Sequence, residues 1–432
     1  MTTADACPGL LDLHEARDGH VARIRLPGGY ATGPRLRGLA ALASRFGDGC
    51  VDLTARGNVQ LRGVRAGEAG ELARRAALAG LLPSPAHDRA RNITASPLAG
   101  LAGHPELRSL VRALDRAVRT DPGLAALPGR FLFCLDDGTG RAGLSGCDVG
   151  IRRLPRGADL IVAGRETGLR GQAQHVVRHA IAAAGAFLQQ RRTASAATRA
   201  ADPVDGEAPV VTRVAALPDG GAAVAAAVGG TLGDRVTDIV SRLPLGPVAD
   251  TTAAVNAAPP AAHTGPSAVV AAPLAVVAAP LAVVAAPLAR LTATQLRLLG
   301  RMVRPGEVAR LAAAGRVVLP LAEPVDAALT RLASAGLLVS DDHVLSAVTA
   351  CSGMSCTKSL ADVRSLATRV PGPAIGVVGL GTGVAAISAV HWAGCGRRCG
   401  RPADAAVVVA ISAGQFTLGD GPGARTFVAG PG

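Results

Sequence analysis

The chain repeats itself, and that constrains its fold more than any other feature. The stretch LPGGYATGPRLRGLA from Leu26 aligns with APLARLTATQLRLLG from Ala286. With Pro27 on Pro287, Thr32 falls on Thr292, Leu36 on Leu296, Arg37 on Arg297 and Leu39 on Leu299. AGLLPS (79–84) then matches AGLLVS (335–340), and TAS (94–96) matches TAC (349–351), which sets Ser96 opposite Cys351. Three blocks in one order at a nearly constant offset mark an internal duplication. Each copy reads as a strand (HVARIRLP in the first), an amphipathic helix (33–45 or 293–303), a second strand (VDLTARGNVQLRGV or GRVVLPLA) and a helix ending at AGLL. A larger α/β segment follows each copy. RFLFCLDD, ADLIVAG and a long helix near 171–191 are legible in the first, and AIGVVGL and AAVVVAIS are apolar strands in the second. The expected class is therefore α/β (α+β), duplicated, with pseudo-twofold halves. The boundaries read as 1–85, 86–200, a linker at 201–285 that includes the start of the second half, 286–342 and 343–432.

The linker contains a stretch that imitates a membrane span. Between Asp250 and Arg290 there is no formal charge, and AVVAAPL occurs three times, at 268–274, 275–281 and 282–288. The length would cross a bilayer. However, Pro273, Pro280 and Pro287 each remove a helix hydrogen bond. We read the segment as an expanded linker whose last copy enters the next domain as a strand, and expect no membrane role. The start, MTTADACPGLLDLHEARDG, has acids and no apolar core of a secretory leader, so a cytoplasmic location is expected.

The net charge of +13 favours an anionic partner. Nearly all of it is arginine, with Lys358 the only lysine, and arginine forks suit carboxylates. Aromatics make up 2% of the chain, too few to stack single-stranded bases, so no nucleic-acid partner is expected. Four cysteines are scattered (Cys7, Cys50, Cys134, Cys147) and read as small buried fillers. The other four form pairs, Cys351-SGMS-Cys356 and Cys395-GRR-Cys399. Four thiolates are what a [4Fe–4S] cube requires, one per iron. A structural zinc site more often spaces its cysteines two apart, and a redox disulfide or unpaired buried thiols are the remaining readings. Arg397 and Arg398 would offset the thiolate charge.

Two other patterns invite chemistry and are set aside. Gly379-Leu-Gly381-Thr-Gly383 follows an apolar run as a dinucleotide loop would, but no acid stands about 20 residues on, so no built-in NADH site is expected. Asp136-Asp137-Gly138 reads as a tight turn at a strand end.

The block Thr54-x-Arg56-Gly57-Asn58-x-Gln60-x-Arg62-Gly63, with RNITASP, HWAGCGRRCGRP and the duplication, resembles the nitrite/sulfite reductase superfamily over about residues 20–430. The resemblance implies ferredoxin-like half domains and a [4Fe–4S] cluster on Cys351, Cys356, Cys395 and Cys399. It also implies a tetrapyrrole faced by Arg56, Asn58, Gln60, Arg62, Arg91, Asn92 and Arg130. Within that superfamily, ACPGLL, FGDGCVDLTARGNVQLRG and LPGRFLFCLDDGTG resemble the precorrin-3B synthases. Those imply a mononuclear non-haem iron beside the cluster and O2-dependent conversion of precorrin-3A, with C20 hydroxylation and γ-lactone formation. The electrons would come from NADH through a separate reductase. His87, His175, His179 and His391 are the candidate iron ligands by residue type. The chain departs from the family in two places. Its first cysteine pair is C-x4-C rather than C-x5-C. Where the reductases place two lysines it has Arg130 and Leu132. The competing readings are a sirohaem-dependent sulfite or nitrite reductase and a non-catalytic tetrapyrrole-binding electron carrier.

Overall fold

The computed structural model describes residues 7–201, 211–238, 243–248, 280–369, 389–402, 405–419 and 424–428. The duplication appears as two pairs of matching sheets. The first sheet runs β1 (His14–Ala16), β2 (Gly19–Ile24), β5 (Val59–Val64), β4 (Cys50–Leu53) and β13 (Arg290–Thr292). Its counterpart runs β11 (Gly246–Pro247), β12 (Leu281–Ala285), β15 (Arg316–Pro320), β14 (Ala309–Leu311) and β3 (Tyr30–Ala31). Each half thus lends a short strand to the other: Arg290 pairs with Asp52, and Ala309 with Ala31. The exchange merges the two half domains into one apolar core that includes Leu36, Leu39, Leu61, Leu296, Leu299 and Leu319.

The helices after the exchanged strands start alike for a local reason. In α1 (Gly33–Phe46) the Thr32 hydroxyl accepts from Arg35 N, and Pro34 sits in the first turn. In the matching helix α2 (Ala293–Met302), Thr292 and Gln295 form a capping box. The two helices cross where glycines meet. A Cβ on Gly33 would stand 2.5 Å from the Gly300 carbonyl oxygen, and one on Gly300 2.8 Å from that of Gly33. Gly33→Ala is expected to force the helices apart and cost about 1–3 kcal/mol in urea unfolding. A variant as stable as the parent would show that the crossing is loose.

The remaining two sheets share one topology. One runs β6 (Ile93–Ala95), β7 (Phe133–Asp136), β8 (Val149–Arg153), β9 (Ala158–Val162) and β10 (Arg165–Gly171). The other runs β16 (Val348–Ala350), β17 (Val390–Ala393), β18 (Ala406–Ala410), β19 (Gln415–Leu418) and β20 (Arg425–Val428). In both, the first three strands are parallel and the last two antiparallel. The few aromatics anchor these cores. Phe131 lies 5.1 Å from both Phe133 and Phe187, and Trp392 lies 5.7 Å from Phe416.

Some expectations change. VDLTARGNVQLRGV is two strands, not one. Thr54 Oγ1 accepts from Asn58 N, Gly57 takes a φ of +68°, and the chain reverses there. The second half repeats this hairpin as β14 and β15. Residues 211–226 are not linker, because Val214, Leu217 and Val224 complete the core of the first α/β domain. The long helix extends from Ala173 to Ala201. The last AVVAAPL copy does enter the second half as a strand, β12. The first copy, most of the second, and Gly379–Gly383 lie outside the described residues. Among the described residues no helix is long and apolar enough to cross a membrane.

Candidate functional site

Two cysteine pairs far apart in sequence meet because β16 and β17 are parallel neighbours. Cys351 follows β16, Cys395 and Cys399 lie in the loop after β17, and Cys351 N donates to Trp392 O at 2.9 Å. The amides of Gly353 and Gly394 donate to Cys351 Sγ at 3.4 and 3.2 Å. Gly394 has to be glycine, since a Cβ there would lie 1.9 Å from Ser359 Oγ. Cys399 reaches the surface, yet its thiol is pushed up, first by burial of the group and then by the charges of Cys351, Cys395 and Cys356. Cys351, Cys395 and Cys356 are thus each within electrostatic reach of Cys399. Among the described residues, no three His, Cys, Asp or Glu side chains close on one point as they would around a single metal ion. Thiols within electrostatic reach of Cys399, with two amides directed at Cys351 Sγ, are the kind of donor set that an iron–sulfur cluster takes, one thiolate per iron.

His391, on β17, is fully buried beside this loop. Its Nδ1 contacts Thr349 Oγ1 at 3.0 Å, and burial lowers its pKa to about 4, against a smaller raising effect of a hydrogen bond with the Cys399 backbone. The imidazole is therefore neutral at physiological pH.

Arginines of the first half domain clasp the cysteine loop. Arg62 grips Asp18 with two bonds of 3.0 Å and donates to Ser355 O at 2.8 Å. Arg17 N reaches the same carbonyl at 3.2 Å. From the other side, Arg364 donates to Cys351 O at 3.0 Å and to Asp52 Oδ1 at 3.1 Å. Arg62, expected to face a ligand, is instead spent on holding this loop.

A cavity of about 330 Å³ opens between the halves. Its walls are the turn at 55–57, the matching turn Ala312–Ala314, loop 140–143, and Arg316, Arg401 and Pro402. Arg401 is two residues beyond Cys399, so the cavity and the thiols share a loop. Arg56 lines the cavity and donates from Nη1 to Arg130 O at 3.2 Å. Burial, then the nearby Arg213, lowers its pKa to about 10, so it stays cationic at neutral pH. Arg316 is 3% exposed, bonded to Asp341 at 3.0 Å and to Ser346 O at 3.4 Å.

Of the seven residues expected to face a ligand, Arg56 alone lines this cavity. Asn58 accepts from Leu26 N at 2.9 Å and donates to Asn92 Oδ1 at 3.0 Å, and Asn92 donates to Phe131 O at 3.0 Å. That buried ladder ties three segments together. Arg91 is paired with Asp115 at 2.7 Å. Gln60 is half-buried on β5, and Arg130 is exposed. The cavity arginines that were not singled out are Arg141, Arg316 and Arg401. The repeat carried the signal for Arg316, since Thr54–Val59 and Ala312–Val317 are the same turn. The iron-ligand candidates do not assemble. Both nitrogens of His87 are engaged, with Ser84 Oγ at 2.8 Å and Asp121 O at 3.0 Å. His175 is exposed and His179 half-buried on the long helix. Among the described residues these histidines form no common ligand set for a mononuclear iron.

Residues 14–79 match the nitrite/sulfite reductase ferredoxin-like half domain. A ferredoxin–nitrite reductase of Leptolyngbya laminosa is 37% identical over 117 residues, 25% of this chain and 23% of that protein. A precorrin-3B synthase of Sinorhizobium sp is 43% identical over 68 residues, 16% of this chain and 15% of that protein. The chain thus matches under a quarter of the length of either relative. The Mycobacterium tuberculosis NirA protein has the same fold, with a TM-score of 0.65 at 19% identity, covering 94% of this chain and 73% of that one.

Proposed function

We propose that this chain, which carries a nitrite/sulfite reductase ferredoxin-like half domain within a nitrite-reductase-like fold, is an iron–sulfur oxidoreductase acting on a poly-carboxylate tetrapyrrole. Its reaction is the O2-dependent conversion of precorrin-3A to precorrin-3B. What supports this reading is that the loops of Cys351 and of Cys395 and Cys399 lie side by side, with Gly394 N donating to Cys351 Sγ, and that Arg401 and Pro402, just past Cys399, wall an arginine-bearing cavity. The precorrin-3B synthase relative supports the choice of substrate.

The bound cluster would supply electrons one at a time. The chain's own residues hold and orient the substrate. At about 330 Å³ the cavity is at the small end for ligand sites, sized for one edge of a macrocycle and its acid arms. Arg56, half-buried and cationic, is placed to pair with a carboxylate arm, where a charge-assisted bond is strong and directional. Fixing the ring by its arms is how one carbon is selected for attack. Leu132 is apolar and buried where the reductases carry a lysine, which favours a reaction with modest proton demand over a six-electron reduction. Monooxygenation uses two electrons and two protons per O2, delivered here by a separate reductase.

The test is anaerobic reconstitution followed by O2 uptake with precorrin-3A and reductant. Stoichiometric uptake with γ-lactone product supports the proposal. Strong sirohaem bands with sulfite or nitrite reduction would replace it with the reductase reading. A cluster without turnover would leave an electron carrier. Arg56→Met is expected to weaken binding of the substrate by about tenfold, the loss of one charged contact of about 1.4 kcal/mol, with iron content unchanged. Unaltered binding would remove Arg56 from the site.

A further inference from the structure

The two α/β sheets match residue by residue around the cysteine loop. Ile93 pairs with Phe133 as Val348 pairs with Val390, and Phe133 pairs with Val149 as Val390 pairs with Ala406. The loops between the second and third strands, 137–148 and 394–405, therefore have equal length. One hydrogen bond repeats across the duplication: Asp137 N donates to Ser96 Oγ at 3.1 Å where Gly394 N donates to Cys351 Sγ at 3.2 Å. On this correspondence Cys351 falls on Ser96, Cys395 on Gly138, Cys399 on Ala142, and Ala393 on Asp136.

The first half has no thiol at those positions. It has a carboxylate instead. Asp136 is fully buried, and its Oδ1 accepts from Gly138 N at 2.8 Å and Gly140 N at 2.9 Å. Its Oδ2 accepts from Ala142 N at 3.0 Å and Ser96 Oγ at 3.1 Å. A loop of this shape gathers amide donors that need an anion at their focus. The second half has only the methyl of the buried Ala393 at that place. The stretch held by Asp136, residues 140–143, also walls the cavity and carries Arg141.

We propose that Asp136 is a built-in anion standing, in the first half, at the position an iron–sulfur core takes in the second, and that it is the positioning residue for the cavity wall at 140–143. The part concerning Ala393 rests on the cluster reading above; the part concerning the loop does not. Asparagine at 136 would turn an amide donor toward the loop amides and leave them short of an acceptor.

The test uses the full chain, reconstituted with iron and sulfide, as wild type, Asp136→Asn and Ala393→Asp. Loop order is read by the rate of tryptic cleavage after Arg141. Binding is read by titration with uroporphyrin, a soluble tetrapyrrole octacarboxylate. Asp136→Asn is expected to raise cleavage after Arg141 and weaken uroporphyrin binding, each about tenfold, with iron as in wild type. Ala393→Asp is expected to lose its iron, with the circular dichroism spectrum and the protection of Arg141 kept. The proposal is overturned if Asp136→Asn stays protected and binds as wild type does, or if Ala393→Asp keeps its iron while wild type holds it. A wild type that takes up no iron would sink the cluster reading instead, and the Asp136→Asn results would still decide the loop. Should Asp136→Asn fail to fold, Ser96→Ala removes one of the four bonds, and a two- to threefold rise in cleavage replaces the larger effect; no rise overturns the proposal.

Discussion

Cys399→Ser is expected to leave the reconstituted protein with less than about one iron per chain, against four in the parent. The loss follows from the ligand count. One thiolate serves each iron, and the sulfur nearest the surface is the one solvent can replace once it is gone. Cys399 is exposed, so the apo fold has little to lose, and its unfolding free energy should move by no more than about 0.5 kcal/mol. Cys134→Ser is the control with the opposite signature. Cys134 is 1% exposed, donates to Ala142 O at 3.0 Å, and has its thiol pushed up by burial. A hydroxyl there should keep the iron and cost about 1–3 kcal/mol of stability. Iron and acid-labile sulfide analysis, with urea unfolding of the apo forms, reads both. If Cys399→Ser kept four irons, the cluster could not rest on this residue.

Arg62→Met should destabilise the chain by about 2–4 kcal/mol and leave tetrapyrrole affinity nearly unchanged. The motif around Arg62 suggests a ligand contact, but the side chain is 7% exposed, with Nε and Nη2 bonded to Asp18 and Nη2 also to the Ser355 carbonyl. Methionine would leave Asp18 without its partner and the cysteine loop without its tie to the first half domain. Adding Asp18→Asn should recover part of the loss, because the single variant strands a charge that the double variant lacks. Arg56→Met has the reverse profile, losing affinity and keeping stability. Denaturation curves and uroporphyrin titrations of the three variants separate the roles. Lost affinity with unchanged stability for Arg62→Met would return Arg62 to the binding surface.

The difference between Arg56 and Arg62 shows where motif reading stops. Both belong to one block on adjoining positions of a turn and a strand, and their residue type suggests one role. Which of them faces the cavity depends on the partner each meets. Asp18 lies 44 residues from Arg62, and Ser355 lies 293 residues away. The internal roles of Asn58, Arg91 and Asn92 are illegible in sequence for the same reason. Each is polar and lies in a ligand-facing block, but each meets an internal partner that local sequence does not name. The strand exchange was hidden too, because β3 and β13 are two or three residues long and carry no periodicity of their own.

The duplication, the fold class, the two amphipathic helices and the four thiols are all legible in the residues alone, because apolar periods and residue types act over a few positions. The packing of the whole chain settles which polar groups are consumed inside the fold, that the halves trade strands, and that Asp136 gathers Ser96 together with the donors of its loop. Those facts depend on contacts between residues tens to hundreds of positions apart. Such contacts are set by how sheets and loops pack, and a hydrogen-bond donor carries no local mark of whether its acceptor will be a ligand or a neighbouring strand.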